Sequence, residues 1–530
     1  LLMIALVVAW LAGAPAATPP VYAAAAARIE LPNSPTKQDR VAQAVAEQRA
    51  RIESNARRPS SQNERESAMR ALARLDDPQA VDVLVPLFGD PFEHIRELAE
   101  VVTVGDGTRH HPGLRSESAV LRLIEGGLTH ADAEVRRNVA PAVGRMGERV
   151  QPGLARILAI LGRERDESVR DAIVTALGNL GDPSVVDPLL ELVRRSSFAP
   201  AIVALAKLGR FGSIDLSRLA RNRDAAVQIA LIDSMALIGH ESLLGYVEPA
   251  LAARRGDVPT AIAATEALEA LHGRMPDAAR AQWAVAARHE NWRVRATAIQ
   301  TALRIWDVAL IPGLIDRLAS EPGRLRLDAY LALKVMTGRP FGLESEGWQS
   351  WWRSAGARFA LGDKPEFGPY GLDFTAAGAS AGSGASAAFF EIPLLSKAVV
   401  FCFDLSGSMG NPTSDRPGAP RKMDFAAVRA RQTLDMLPED AQFNMSFWRY
   451  YSAFPPRTEL TSCFPRLTPI NRRSVAMVED FIRAQESGGW GDYFGGLTTL
   501  MADDAVDTIL FLSDCNPTRG RYIRSEGFLR

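Results

Sequence analysis

From about Ser67 to about Gly338, apolar residues recur at i, i+3 and i+4, the spacing that lines one face of a helix. Gly-Asp and Gly-Glu corners interrupt the runs at intervals. The segments resemble one another. Asp132-Ala-Glu-Val-Arg-Arg-Asn-Val-Ala runs on to Gly147, Asp166-Glu-Ser-Val-Arg-Asp-Ala-Ile-Val to Leu180-Gly181, and Asn291-Trp-Arg-Val-Arg-Ala-Thr-Ala-Ile to Ile305-Trp306-Asp307. Val135 and Val169 are 34 positions apart, and Gly147, Gly181, Gly209 and Gly239 follow at intervals of 34, 28 and 30. A period of this size built from helix pairs predicts an all-α solenoid over 64–353. The pattern changes after residue 389. Lys397-Ala-Val-Val-Phe-Cys-Phe-Asp404 is a continuous apolar run ending in an acid, as expected of a buried parallel strand. A helix is predicted from about Lys422 to Leu437, a strand over Gln442–Trp448, helices near Arg472–Ala484 and Phe494–Asp503, and a strand over Thr508–Asp514. Alternating strands and helices predict an open, parallel, Rossmann-like α/β sheet over 389–530. In such sheets functional residues gather at the carboxyl ends of strands, where Asp404 and Asp514 stand.

The remaining segments read differently. Leu1 to about Ala14 is an apolar run followed by small residues and Pro19-Pro20. This is the pattern of a secretory signal over 1–23, with Ala14-Pro15-Ala16 or Val21-Tyr22-Ala23 as cleavage boundary. The alternative is an uncleaved N-terminal anchor; either way the chain is expected to be exported, to the periplasm, the cell surface or the medium. No Met or basic stretch precedes the run, so the start is expected to be clipped. Residues 24–63 form a polar lead-in. Trp348, Trp351 and Trp352 fall on one face of one helical turn and are expected to cap the end of the solenoid core. Residues 354–388 culminate in AAGASAGSGASAA, a flexible linker by composition. Its Gly382-Ser-Gly384 string follows no strand and opens no helix, which argues against a dinucleotide site.

The V-R-x-x-A-x-x-A-L phrasing with an acid just upstream resembles HEAT-type repeats, although TPR-like and armadillo-like arrays share the helical period. In this reading Val135, Val169 and Val294 pack between helices. Arg136, Arg170 and Arg295 serve as exposed or repeat-bridging charges. A solenoid of this kind implies a docking platform for protein partners.

Asp404-Leu-Ser406-Gly-Ser408 directly after the first strand resembles the metal-ion-dependent adhesion site of von Willebrand factor type A domains. The likeness extends to Phe389-Phe-Glu-Ile-Pro, Phe443-Asn444, the Gly488–Leu497 loop and Leu512-Ser-Asp-Cys-Asn-Pro-Thr, as in bacterial members joined to HEAT-like arrays. The resemblance implies Asp404, Ser406 and Ser408 as ligands of a divalent cation, with Asp514 as the later acid. Oxygen-only donors suit a hard ion, Mg²⁺ or alternatively Mn²⁺ or Ca²⁺. An ion held by few protein charges stays electrophilic and, in the family, accepts a carboxylate from a protein partner. Two positions depart from the pattern. Gly491 stands where the family has a threonine and brings no hydroxyl, with Asp492 beside it, and Cys515 stands where glycine is common. The family's fold also continues beyond a strand of this kind, so Arg530 is expected to end an incomplete sheet with an unpaired edge.

Composition narrows the function classes. The chain has 530 residues, with 61 Lys+Arg against 62 Asp+Glu and a formal net charge of −1, which gives no electrostatic reason to expect nucleic acid as a partner. Three cysteines, Cys402, Cys463 and Cys515, are too few for a disulfide framework. Ser406-Gly-Ser408-Met-Gly410 is a near miss of a nucleophile elbow, but the last histidine is His289, upstream of it, whereas a hydrolase of that design needs a later one. His240-Glu241 has Leu244 where a zinc protease needs its second histidine, His110-His111 has no such frame, and no P-loop is present. The expected function is non-enzymatic: an interaction or adhesion module gripping an acidic partner through a cation, with a further protein on the solenoid. The alternative is a scaffold whose α/β domain is metal-silent. A membrane role is expected only if the leader is retained.

Overall fold

The computed structural model describes residues 36–55, 62–90, 93–105, 112–252, 257–366, 387–389, 392–394, 396–414, 416, 418–451, 457–503 and 505–513. The proposed leader over 1–23, His110-His111, Gly382-Ser-Gly384, Asp514 and Cys515 lie outside them. Among the described residues no helix is long and apolar enough to cross a membrane.

The N-terminal part is helical throughout. Helices Ala133–Arg145, Glu167–Leu180, Ala199–Lys207, Ala225–Ile238, Val258–Glu266, Trp292–Ile305 and Gly323–Thr337 stack one upon the next, and the intervening helices form a second layer. One continuous apolar core runs between the layers, from Val45 to Trp348. The lead-in contributes to it: helix Lys37–Asn55 packs on helix Gln62–Leu75 and buries Val45 and Ile52.

The repeated acid has a local job. Asp132, Asp166, Asp224, Asp257 and Asn291 precede their helices in extended conformation, and each side chain accepts a hydrogen bond from a first-turn backbone N–H. That satisfies donors which a helix start otherwise leaves unpaired. At the other end, the periodic glycines Gly147, Gly181, Gly209 and Gly239 all have φ between +60° and +72°, a conformation that costs a side-chain-bearing residue. Trp306 takes the same role at φ +54° despite its side chain, and its indole N–H donates to the Gly362 carbonyl at 2.8 Å.

The valines after each cap, Val135, Val169 and Val294, are buried. Arg136 and Arg295 bridge forward to Glu164 and Glu321, whereas Arg170 lies over the Phe198 ring at 4.7 Å. Trp348 is fully buried, donates to the Gly342 carbonyl at 2.8 Å, and packs edge-on against Phe341 and Tyr330. Phe359 and Leu361 continue onto the same core, so the array's contacts extend to residues past its last long helix.

The C-terminal part is an α/β unit. A short antiparallel hairpin, β1 (Ala387–Phe389) and β2 (Ile392–Leu394), precedes β3 (Ala398–Asp404). It is followed by β4 (Gln442–Tyr451), β5 (Arg457–Ser462), β6 (Thr468–Pro469) and β7 (Thr508–Leu512), with helices Lys422–Leu434, Arg472–Arg483 and Tyr493–Met501 between strands. The main sheet runs β5-β4-β3-β7, with β6 also on β4. β3 pairs in parallel with β4 and β7, but β5 and β6 run antiparallel to β4. The expected all-parallel sheet is therefore mixed. The reason is connection length: only residues 452–456 separate β4 from β5, too few for the crossover a parallel neighbour needs. β3 is buried on both faces, with Val399, Phe401 and Phe403 in one core and Val400 and Cys402 in another beneath Trp448. From β3 the chain crosses to β4 on one side and later returns to β7 on the other. The order thus reverses at β3, and the crevice at a switch point of this kind lies beyond the strands' carboxyl ends.

Candidate functional site

Asp404 closes β3 at that switch point and is fully buried. Its Oδ1 accepts from the Ser406 backbone N–H at 2.7 Å, which turns the chain sharply out of the strand. A single 3₁₀ turn, Gly407–Gly410, follows, and the Ser406 and Ser408 hydroxyl oxygens stand 3.2 Å apart. The three first-loop residues singled out in the sequence are thus brought to the carboxyl end of the central strand. Asp514 falls outside the described residues, so its place in the site is left to the sequence argument.

A second loop is tied against the first. The Leu405 N–H donates to the Trp448 carbonyl at 2.9 Å, Gly488 N–H to Leu405 at 2.8 Å, and Gly407 N–H to Gly489 at 3.3 Å. Trp490 and Tyr450 exchange two backbone hydrogen bonds, of 2.7 and 3.0 Å. Gly489 is required where it sits: its φ is +80°, and a Cβ there would lie 2.8 Å from the Tyr450 carbonyl oxygen.

Asp492 is nearly buried and caps helix Tyr493–Met501 through the Gly495 N–H at 3.0 Å. Its second carboxylate oxygen accepts from the Thr458 hydroxyl. Burial pushes the Asp492 carboxyl above the usual carboxylate range, against those two hydrogen bonds. Asp492 therefore serves the helix start and the β5 side chain, and position 491 contributes only backbone.

The structure adds groups that the sequence did not single out. The Ser513 hydroxyl, one residue beyond β7, donates to Asp404 Oδ2 at 2.8 Å and is itself hydrogen-bonded to the Tyr493 hydroxyl. Ser513 stands inside the quoted motif after Leu512 and Tyr493 inside the quoted Gly488–Leu497 loop, so both neighbourhoods were legible, but no signal along the chain singled out either side chain, or Thr458. Beneath them Trp448 and Phe511 stack with centroids 5.0 Å apart and planes within 2°. The Cys402 thiol lies under the same site. Burial pushes it well above the usual thiol range, and the Asp404 carboxylate pushes it further.

The site's donors are one carboxylate and several hydroxyls. Among the described residues, no three His, Cys, Asp or Glu side chains gather as a metal cluster. A cleft of about 410 Å³ lies at the opposite, amino end of the strands, lined by Leu437, Pro438, Ile470 and Glu479. Among its charged groups, Arg431 bonds both Asp435 and Glu479.

Two family models match, both within the helical array: PBS lyase HEAT-like repeat over 64–90 and HEAT repeats over 120–207. No curated protein matches the chain in sequence. A solved structure of human deoxyhypusine hydroxylase in complex with glycerol aligns over 50% of this chain and 98% of its own at 18% identity. Its TM-score of 0.23 carries no argument about fold or function. The two family matches show HEAT repeats at residues 64–90 and 120–207, within an array whose stacked, capped helix pairs continue beyond them.

Proposed function

We propose that this protein is a non-enzymatic interaction module, in which the HEAT array docks protein partners and the α/β domain grips an acidic partner residue through a divalent cation. The array supplies the general half of this reading, since stacked repeats present an extended surface suited to protein ligands. The observation that carries the specific half is the 3.2 Å separation of the Ser406 and Ser408 hydroxyl oxygens beside buried Asp404. Adjacent ligands of an octahedral ion at about 2.1 Å lie about 3 Å from one another, so the two hydroxyls suit neighbouring positions around Mg²⁺ or Mn²⁺. The carboxylate supplies the charged donor: Asp404 is buried at the strand end, oriented by the Ser406 N–H on one oxygen and the Ser513 hydroxyl on the other. Asp404, Ser406 and Ser408 would hold the ion, with Asp514 as the later acid, and the ion would supply an electrophilic point for a partner's carboxylate. The domain is read as a von Willebrand factor type A-like module of an exported protein.

A metal-silent scaffold is the second reading. It is favoured by Asp492, whose carboxylate is committed to Thr458 and Gly495, and by the absence of any side-chain oxygen at Gly491. Titration of the full chain with Mg²⁺ and Mn²⁺, followed by melting and calorimetry, separates the two. The cation reading expects saturable binding that is lost in Asp404→Ala and weakened in Ser408→Ala. Identical melting with and without metal in all three proteins would leave the scaffold reading.

A further inference from the structure

The chain does not leave the array where the capping helix Ser345–Ala355 ends; it turns back across earlier repeats. The Phe359 ring stands edge-on to Trp351 with centroids 5.1 Å apart, and Leu361 packs on the array's core. The Gly362 carbonyl accepts the Trp306 indole N–H at 2.8 Å. The Lys364 ammonium then donates to the Arg304 carbonyl and lies 3.3 Å from a carboxylate oxygen of Glu269. Trp306 and Arg304 end helix Trp292–Ile305, and Glu269 stands on helix Leu268–His272, which packs against it.

These contacts have the form of a bound linear peptide. Half-buried apolar side chains at 359 and 361 flank an exposed residue 360, a backbone carbonyl is fixed by the indole, and a cation closes the run. The cation sits at the last turn of helix Trp292–Ile305, where carbonyls lack helical partners and positive charge is favourable. The contacts are superficial: the Lys364 and Glu269 side chains are 39% and 47% exposed, so the segment can lift without opening the core.

The chain's own segment is an incomplete match for this face. Pro365 biases Lys364 to extended backbone, which puts Lys364 and Glu366 on one side of the chain. Two acids stand on the receiving helices. Glu266, three residues before Glu269, reaches solvent, yet the surrounding protein pushes its carboxyl above the usual carboxylate range, against the attraction of Arg304. The segment therefore brings one cation and then an acid to a face with two carboxylates.

We propose that the face formed by Trp306, the Arg304 carbonyl and Glu269 is a docking site for a linear segment of a partner protein, apolar and then basic, and that residues 359–364 of the chain itself occupy it when no partner is bound. This rests on reading the array as a surface that docks proteins, and it names the place and the chemistry. A partner segment with a basic residue in the place of Glu366 offers Glu266 and Glu269 two cations and so displaces the chain's own.

The test is fluorescence anisotropy of labelled peptides with the full chain. One peptide has the sequence of residues 356–366 and a second carries Glu366→Lys. A tethered segment competes at high effective concentration, so the protein is also prepared with Leu361→Ser and Lys364→Glu together, which weakens its own hold on the face. Circular dichroism establishes that each protein is folded at the assay temperature. The weakened chain is expected to bind both peptides saturably and the wild type less tightly, with the Glu366→Lys peptide favoured about five-fold, as for an exposed charge pair. In the weakened chain, Trp306→Phe keeps a ring and removes the indole donor, and is expected to lower affinity about five-fold. Glu269→Lys is expected to lower it as well, and a peptide carrying Lys364→Glu to recover binding to that variant. No saturable binding by the weakened chain, or affinities that neither Trp306→Phe nor Glu269→Lys changes, overturns the inference for this face. The cation reading stands or falls separately, on Mn²⁺ titration of the same weakened chain.

Discussion

Arg136 and Glu164 join successive repeats through a two-pronged ion pair, Nε and Nη2 of the guanidinium lying 2.8 and 3.1 Å from the two carboxylate oxygens. The same guanidinium donates to the carbonyls of His130 and Ala131. The arrangement recurs near the other end of the array, where Arg295 bonds both oxygens of Glu321 and the carbonyls of His289 and Glu290. One side chain thus ties the corner before its own helix to the corner before the next. Both carboxylates are less than a tenth exposed. Removing one partner leaves a buried charge without compensation, so Arg136→Ala is expected to destabilise the array by about 3 kcal/mol, read as a fall in the urea midpoint.

The same pair sets a pH dependence. Burial pushes the Glu164 carboxyl up, but the Arg136 hydrogen bond and the backbone N–H groups of Asp166 and Arg165 outweigh it and hold the group below its ordinary value. A depressed folded-state pKa gives stability that is complete above the ordinary glutamate value, about 4.3, and is lost as pH falls through the lower folded value. Asp307, held down against burial by the Ala309 N–H, Arg280 and His272, acts in the same direction. Urea midpoints of the wild type are expected to fall steeply below about pH 4, and the fall should be shallower in Glu164→Gln.

Two glycine substitutions should differ in cost for separate reasons. At Gly181 a Cβ would meet nothing within 4 Å, so Gly181→Ala carries only the left-handed backbone penalty, about 1 kcal/mol. At Gly144 the Cβ would lie 2.8 Å from the Ala176 backbone, where two stacked helices touch. Gly144→Ala must push the helices apart and is expected to cost about 1–3 kcal/mol. Thermal melting of the two variants side by side checks the order.

Trp348→Ala is expected to cost about 3–5 kcal/mol, since it empties a fully buried indole site and leaves the Gly342 carbonyl without that donor. In a stacked array the loss stays near the damaged end. Hydrogen exchange should rise over helix Gly323–Thr337 and residues 341–361 and stay unchanged around Glu167–Leu180.

In the α/β domain, Gly489→Ala combines a positive φ with a clash against the Tyr450 carbonyl. It is expected to break the Tyr450–Trp490 pairing and free the second loop from the first. Near-ultraviolet circular dichroism from Trp448 and Trp490 should lose intensity while the helical signal of the array persists.

Much of this protein is legible along the chain because helix signals are local. The period near 30 residues, the capping acids at Asp132 and Asp166, and the glycines at Gly147 and Gly181 each act within a few residues of where they stand, and the structure uses them as caps and corners. The β3 strand and its terminal Asp404 were readable for the same reason: a strand buried on both faces is a continuous apolar run. Strand direction was not readable, because β5 and β6 pair with β4 by hydrogen bonds between residues far apart in sequence. Nor was the Tyr493–Ser513–Asp404 chain. Its members, the last residue of β3, the first of helix Tyr493–Met501 and the residue after β7, meet only where the sheet order reverses, and no spacing in the sequence encodes such a meeting. Local patterns determined the helices, the central strand and the Asp404–Ser408 loop that ends it; long-range packing decided the strand directions and which other side chains surround Asp404.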